Sequence, residues 1–209
     1  MAAADTEQAV PEQVVTAFDD PERFTVKHPL QNRWTLWFDA PSSKKTTQKD
    51  WGQNLKKIVT IDSVEDFWGV YNNVVGTSEI PTSSNYHLFK EGIEPAWEDP
   101  ANTRGGKWSF MLTKQKKGPE LDKYWLHTML ACVGEQFTYG EEITGAVVSI
   151  RKAQDRICVW TRHADEREKC LKIGEEFKAL LPTTDKIAFQ SHSDSAKKRS
   201  SFSQDKYTI

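Results

Sequence analysis

This sequence predicts an α+β fold, an antiparallel β-sheet with three helices on one face, on three observations. Residues 143–151 (ITGAVVSIR) and 156–162 (RICVWTR) are two apolar, β-branched runs separated by only KAQD, which is hairpin spacing. Strand-like alternation recurs at 34–38 and 108–112, and stripes of helical period occur in three places. Hairpins and alternation outnumber the strand–helix–strand spacing that a parallel sheet needs, so strands and helices are segregated.

The elements follow in chain order. Residues 1–26 are rich in Ala, Glu, Gln, Asp and Pro without apolar periodicity, which predicts a disordered arm ahead of a single domain over 27–209. Trp34, Leu36 and Phe38 alternate with Thr35 and Trp37 in a strand pattern. A polar loop over 41–57 holds Trp51, and KIVTID (57–62) is a short strand. Ser63 is the N-cap of a helix, with Asp66 three residues on in a variant of the capping box. Val64, Phe67, Trp68, Tyr71, Val74 and Val75 trace that helix's apolar stripe. A loop over 76–85 leads to a strand at 86–92, a loop carrying Trp97, and a strand through KWSFMLTK (107–114). The second helix spans 121–137; Trp125, Met129 and Cys132 centre its stripe, with Leu126 and Leu130 at the edge. After the 143–162 hairpin comes a third helix over 165–181, stopped by Pro182. KIAFQSH (186–192) closes the strands, and a mobile Ser/Lys-rich loop is expected at about 193–204.

Composition narrows the function classes. A net charge of −2 excludes a generic polyanion binder, because phosphate attraction would demand an overall basic surface. Any nucleic-acid recognition must be local. Cys132, Cys158 and Cys170 are odd in number and lack CxxC spacing, so reduced thiols of an intracellular protein are expected. The N-terminus is acidic without a signal-like apolar core, and no run approaches membrane-spanning length. A soluble protein of the cytoplasm, with a nuclear pool, is expected.

Trp51 in KKTTQKDWGQNLKK and Trp97 in GIEPAWEDP sit in segments without core periodicity, which marks them as contact residues for a flat ligand. Glu98 follows Trp97. A carboxylate beside an exposed indole can accept the N1–H and N2–H of a guanine while the ring stacks on its face; adenine lacks that pair. The KAQD hairpin is flanked by Arg151, Lys152 and Arg156, and Lys107 follows the GG turn, a set of cations suited to a phosphate chain.

Together HPLQNRWTLWF, VEDFW, GIEPAWED, RGGKW, WLHTML, GAVVSIR and the Trp160 strand, in this order, resemble the eukaryotic translation initiation factor 4E family over about 28–209. The resemblance implies a curved antiparallel sheet with three helices on its convex face and the mRNA cap site in its concave face. It implies that Trp51 and Trp97 sandwich the 7-methylguanine, Glu98 binds its N1 and N2, and Trp160 touches the N7-methyl group. Arg151, Arg156 and Lys107 then contact the triphosphate. Lys107 and Arg156 exchange the arginine and lysine common at these places, and Ala153 stands where animal members often carry lysine. The loop serine of those members has its nearest match in Ser201.

The same resemblance implies partners: capped mRNA, the scaffold factor 4G, and 4E-binding repressors whose helical YxxxxLΦ motif docks on His28, Pro29, Val64, Trp68, Leu126 and Leu130. His127 replaces an acid common in animal members. The implied function is recruitment of capped mRNA for translation initiation; a cap-binding repressor paralogue is the alternative. No catalytic role, cofactor, metal or membrane contact is expected. HADERE (163–168) lacks metal-ligand spacing and opens a helix, Glu141 and Glu142 make no acid–base pair, and His87 and His192 are expected to be structural.

Overall fold

The computed structural model describes residue 22 and residues 25–40, 54–113, 119–181, 183–194 and 205–209. Among them eight strands form one sheet: β1 (Pro29–Asp39), β2 (Lys56–Ser63), β3 (Asn85–Lys90), β4 (Gly106–Thr113), β5 (Ile143–Ser149), β6 (Gln154–Thr161), β7 (Ala188–Ser191) and β8 (Tyr207–Thr208). Their order is β2-β1-β3-β5-β6-β4-β7-β8, and every neighbouring pair is antiparallel. Helices α1 (Val64–Asn73), α2 (Pro119–Val133) and α3 (Arg167–Ala179) cover one face. The predicted fold, a curved antiparallel sheet with its helices on the convex side, is the one adopted. Of the expected arm over 1–26 only residues 22, 25 and 26 are described, and of the expected loop over 193–204 only Ser193 and Asp194; the rest lies outside the described residues.

Period-two alternation does the sorting. Leu88, Val148, Ile157, Val159, Trp108, Phe110 and Leu112 point to the helices and join one core with Phe67, Trp125, Met129, Cys132, Ile173 and Phe177. The intervening Phe89, Val147, Cys158 and Trp160 form a smaller cluster on the opposite, open face. The three cysteines are free and buried.

Ser63 caps α1 as predicted: its backbone is extended, and its Oγ accepts the Asp66 N–H at 3.1 Å. The predicted α1 stripe is only partly a core stripe. Phe67 is buried, whereas Val64, Trp68 and Val75 are exposed, because the helix ends at Asn73 and packs on the sheet through a narrow face. The expected second helix also shifts. It starts at Pro119, a residue favoured in the first turn, and stops at Val133 instead of 137. Glu135 adopts φ 51°, Gln136 N–H donates to Ala131 O and Glu135 N–H to Cys132 O, which closes the helix in a Schellman motif. Phe137 is still buried, but from the following turn. Strand β8, expected only as tail, pairs with β7, and Ile187 and Ile209 exchange backbone hydrogen bonds. A cavity of about 190 Å³ lined by Leu36, Ile61, Phe67, Tyr71, Trp125 and Met129 lies between the sheet, α1 and α2, away from the open face. Among the described residues no helix is long and apolar enough to cross a membrane.

Candidate functional site

The strand register arranges the open face in cross-strand rows. One row runs Thr35, Phe89, Gly145, Trp160, Lys107, Gln190. The next runs Trp37, His87, Val147, Cys158, Ser109, and a third Asp39, Asn85, Ser149, Arg156, Met111. Trp160, Lys107 and Arg156, three of the residues singled out from the sequence, therefore share one surface.

Gly145 sets the first row. A Cβ there would stand 2.4 Å from the Phe89 ring, so Phe89 lies across the glycine and meets Trp160 edge-on, with centroids 5.3 Å apart. On its other side Trp160 packs against His192, with centroids 4.1 Å apart. The His192 N–H donates to Gly105 O, and Gly105 tolerates no side chain, since a Cβ would meet the Thr161 carbonyl oxygen at 1.9 Å. The GG turn thus exists to bring β4, β6 and His192 into contact. Burial, and then the Lys107 charge, lower the His192 imidazole to about 3, and neither ring nitrogen has a hydrogen-bond partner among the described residues.

Trp97 is half-buried and packs against the cluster of Phe89, Ile93, Val147, Cys158 and Trp160, while Glu98 is exposed beside it. Two residues that sequence reasoning did not single out hold this loop. The fully buried Asn102 donates from Nδ2 to Glu94 O and Ala96 O, each at 2.9 Å. Asp99 accepts from Glu94 N–H and Ala101 N–H, both at 2.8 Å. The Asp-Pro and Asn-Thr pairs were turn signals available in the sequence, though their long-range partners were not.

The cations are placed differently from one another. Lys107 is buried; that burial, and then the charges of Arg156 and Arg151, lower its ammonium below the usual range. Arg156 is buried on β6. Arg151 is half-buried: Nη2 donates to Asn85 Oδ1 at 2.8 Å, and Nη1 to Ile150 O and Ser84 O at 2.9 and 3.3 Å. Burial and Arg156 lower it too. Trp51 and Ser201 lie outside the described residues.

On the helical side, His28 and Pro29 are exposed at the start of β1. The His28 N–H donates to Glu65 Oε2 at 2.8 Å, its Nδ1 lies 2.7 Å from Oε1, and these bonds bring the Glu65 carboxyl down to about 2. Val64 N–H donates to His28 O, so His28 and Pro29 are fixed beside the exposed Val64. Trp68, one turn on, rests edge-on against Phe67 and Tyr71 and remains 39% exposed. Leu126 and Leu130 lie half-buried at the margin of the α2 core stripe. His127 Nδ1 is 3.1 Å from Leu180 O, which ties α2 to the end of α3.

One cluster was not foreseen. Glu142, His163 and Glu166 bring three ligand-type atoms together, although 21 residues separate the first two. Lys169 Nζ occupies it, 3.2 Å from Glu142 and 2.9 Å from Glu166, so the cluster carries its own cation. It is an ion-pair network binding the start of α3 to the turn that precedes β5.

Comparison with known proteins agrees with the fold. The family model for eukaryotic initiation factor 4E matches residues 29–207. Eukaryotic translation initiation factor 4E-1 of Zea mays is 45% identical over 182 residues, 87% of this chain and 81% of that protein. The Homo sapiens factor 4E is 42% identical over 193 residues, 91% and 87% of the two chains. Among solved structures, C. elegans factor 4E-3 in complex with the 4E-binding protein Mextli and a cap analogue superposes with a TM-score of 0.79. It is 37% identical, over 88% of this chain and all of that one. Ascaris suum factor 4E-3 in complex with an m2,2,7G cap has a TM-score of 0.79 at 40% identity, covering 88% and 99%.

Proposed function

Because this chain belongs to the eukaryotic initiation factor 4E family, we propose that its concave face binds the 7-methylguanosine cap of mRNA and its helical side recruits a scaffold factor for translation initiation. The observation that carries the reading is the placement of Trp97 against the Phe89–Trp160 cluster, with Glu98 exposed beside it and Lys107, Arg151 and Arg156 on the same face. Trp97 stacks on one side of the base and Trp51 on the other. Glu98 accepts the N1 and N2 hydrogens, and Trp160 meets the N7-methyl group. The three cations take the triphosphate. The cap complexes of the Ascaris and C. elegans relatives support the ligand, and the Mextli complex supports a 4E-binding partner.

The chemistry is that of a binding factor, not an enzyme: stacking, paired hydrogen bonds and charge. Methylation makes the base cationic, so the sandwich gains cation–π attraction and Glu98 a charge-assisted bond, terms that plain guanine lacks. On the helical side His28, Pro29, Val64, Trp68, Leu126 and Leu130 receive the YxxxxLΦ helix of factor 4G or of 4E-binding repressors. The protein works in the cytoplasm, with a nuclear pool.

Tryptophan fluorescence titration tests the reading. Quenching by m7GTP at concentrations about 30- to 150-fold below those needed for GTP is expected, from roughly 2–3 kcal/mol of added attraction. Equal response to the two nucleotides, or full m7GTP affinity in Glu98→Ala, would overturn it.

A further inference from the structure

A chain of polar contacts crosses one end of the open face and ends on Arg151. Asp39, the last residue of β1, is buried; its Oδ1 lies 2.6 Å from His87 Nε2, and Asn85 Nδ2 donates to both carboxylate oxygens at 3.0 and 2.9 Å. Asn85 and His87 are buried as well. On its far side Asn85 Oδ1 accepts the Arg151 Nη2 hydrogen at 2.8 Å. An amide between a carboxylate and a guanidinium has one orientation that satisfies both neighbours, nitrogen toward the acid and oxygen toward the arginine. Asp39 therefore fixes Asn85, and Asn85 fixes Arg151.

The arrangement also leaves donors over. A guanidinium has five N–H groups, and the contacts to Asn85, Ile150 and Ser84 use three of them. The Nε hydrogen and one Nη2 hydrogen have no partner among the described residues. Because a neutral amide stands between Asp39 and Arg151, the guanidinium is oriented by an amide and two carbonyls, and the Asp155 carboxylate meets Arg151 at its backbone N–H, at 2.9 Å.

We infer that Asn85, held by Asp39, which His87 holds in turn, is a positioning residue that presents Arg151 to the phosphate chain of the bound nucleotide. The inference rests on the cap-binding reading and deepens it: this network serves the phosphates and not the base. Direct pairing with an acid would hold the guanidinium equally still, but would set a carboxylate in competition with the incoming phosphate.

The test compares m7GTP with 7-methylguanosine, which has the same base and no phosphates, on four proteins: the wild type, Asn85→Ala, Asn85→Asp, and the exchange Asp39→Asn with Asn85→Asp. Asn85→Ala is expected to weaken m7GTP about tenfold, the scale of one charge-assisted hydrogen bond. It should leave 7-methylguanosine within about twofold. The exchange keeps both side-chain shapes and the charge count, yet places the carboxylate against Arg151, so m7GTP stays weak and 7-methylguanosine stays normal. Equal losses on both ligands, an unaltered m7GTP affinity in Asn85→Ala, or wild-type m7GTP affinity in the exchange variant would each overturn the inference. Wild-type protein that binds neither ligand overturns the cap-binding reading instead, a distinct result.

Discussion

Asn102 is where the architecture of the Trp97 loop can be broken with one atom group. Its Nδ2 supplies the hydrogen bonds to Glu94 O and Ala96 O that tie the two ends of the Trp97 turn together, and the residue is wholly buried. Replacement by alanine removes both bonds, while Glu94 O keeps the Ala96 N–H and Ala96 O the Asp99 N–H. At about 1 kcal/mol net per bond, the loss comes to roughly 1–3 kcal/mol. In a chain of this size each kcal/mol lowers Tm by about 2–4 °C, so a fall of roughly 2–12 °C is expected where the loop opens together with the fold. Where it opens alone, Tm falls less and the cost appears as weakened m7GTP binding, because Trp97 and Glu98 are no longer held in place.

Asn102→Asp sharpens the point. It is isosteric, but sets a carboxylate against the same two carbonyl oxygens, so it must destabilise more than alanine at neutral pH. Calorimetry with m7GTP titration on the same samples reads both effects. An Asn102→Ala protein within about 1 °C of wild type and unchanged in m7GTP affinity refutes the reasoning, as does an Asn102→Asp protein as stable as wild type.

Three further outcomes are expected. Burial, then Lys107, hold the folded His192 pKa at about 3 against an ordinary 6.5, so the unfolded chain takes up a proton that the folded chain refuses. This contribution is complete above about pH 6.5 and is lost as pH falls, at about 1.4 kcal/mol per unit and about 2 kcal/mol by pH 5. Urea unfolding at pH 7 and 5 should show His192→Gln losing less than wild type on acidification. Gly145→Ala forces a Cβ to within 2.4 Å of the Phe89 ring, and urea midpoints should report about 1–3 kcal/mol of destabilisation. Trp68→Ala, at an exposed position, should cost a YxxxxLΦ peptide about 2 kcal/mol or more by isothermal titration and leave m7GTP binding intact; unchanged peptide affinity would remove Trp68 from the dock.

What could be read from the sequence was what depends on local period. Residues 156, 158 and 160 fall on one face of a strand by alternation alone, and the Ser63 cap is a short-range pattern that the structure reproduces. What depends on register between distant strands was out of reach. Nothing local says that Phe89 crosses Gly145 to touch Trp160, that His192 supports the same indole, or that Asp39 reaches Arg151 through Asn85. The end of α2 was misread because Phe137 continues the apolar period while Glu135, a non-glycine residue in the left-handed region, has already closed the helix. Strand β8 is two residues long, too short for any periodicity to register. Trp51, one of the two loop indoles singled out from the sequence, falls outside the described residues.

A net charge of −2 and the proposed phosphate-binding corner are compatible because the corner is built at local cost. Lys107 and Arg151 are each lowered first by burial and then by the charge of Arg156, with Arg151 acting on Lys107 as well. Like charges gathered where water is scarce repel, and the fold tolerates the repulsion because strands β4 and β6 fix Lys107 and Arg156 and Asn85 fixes Arg151. A triphosphate entering this corner relieves the repulsion as well as adding its own attraction, an advantage that scattered surface lysines do not offer. Bulk charge governs non-specific attraction to polyanions; in the function proposed, attraction to the phosphate chain rests instead on three cations that the fold holds on one face.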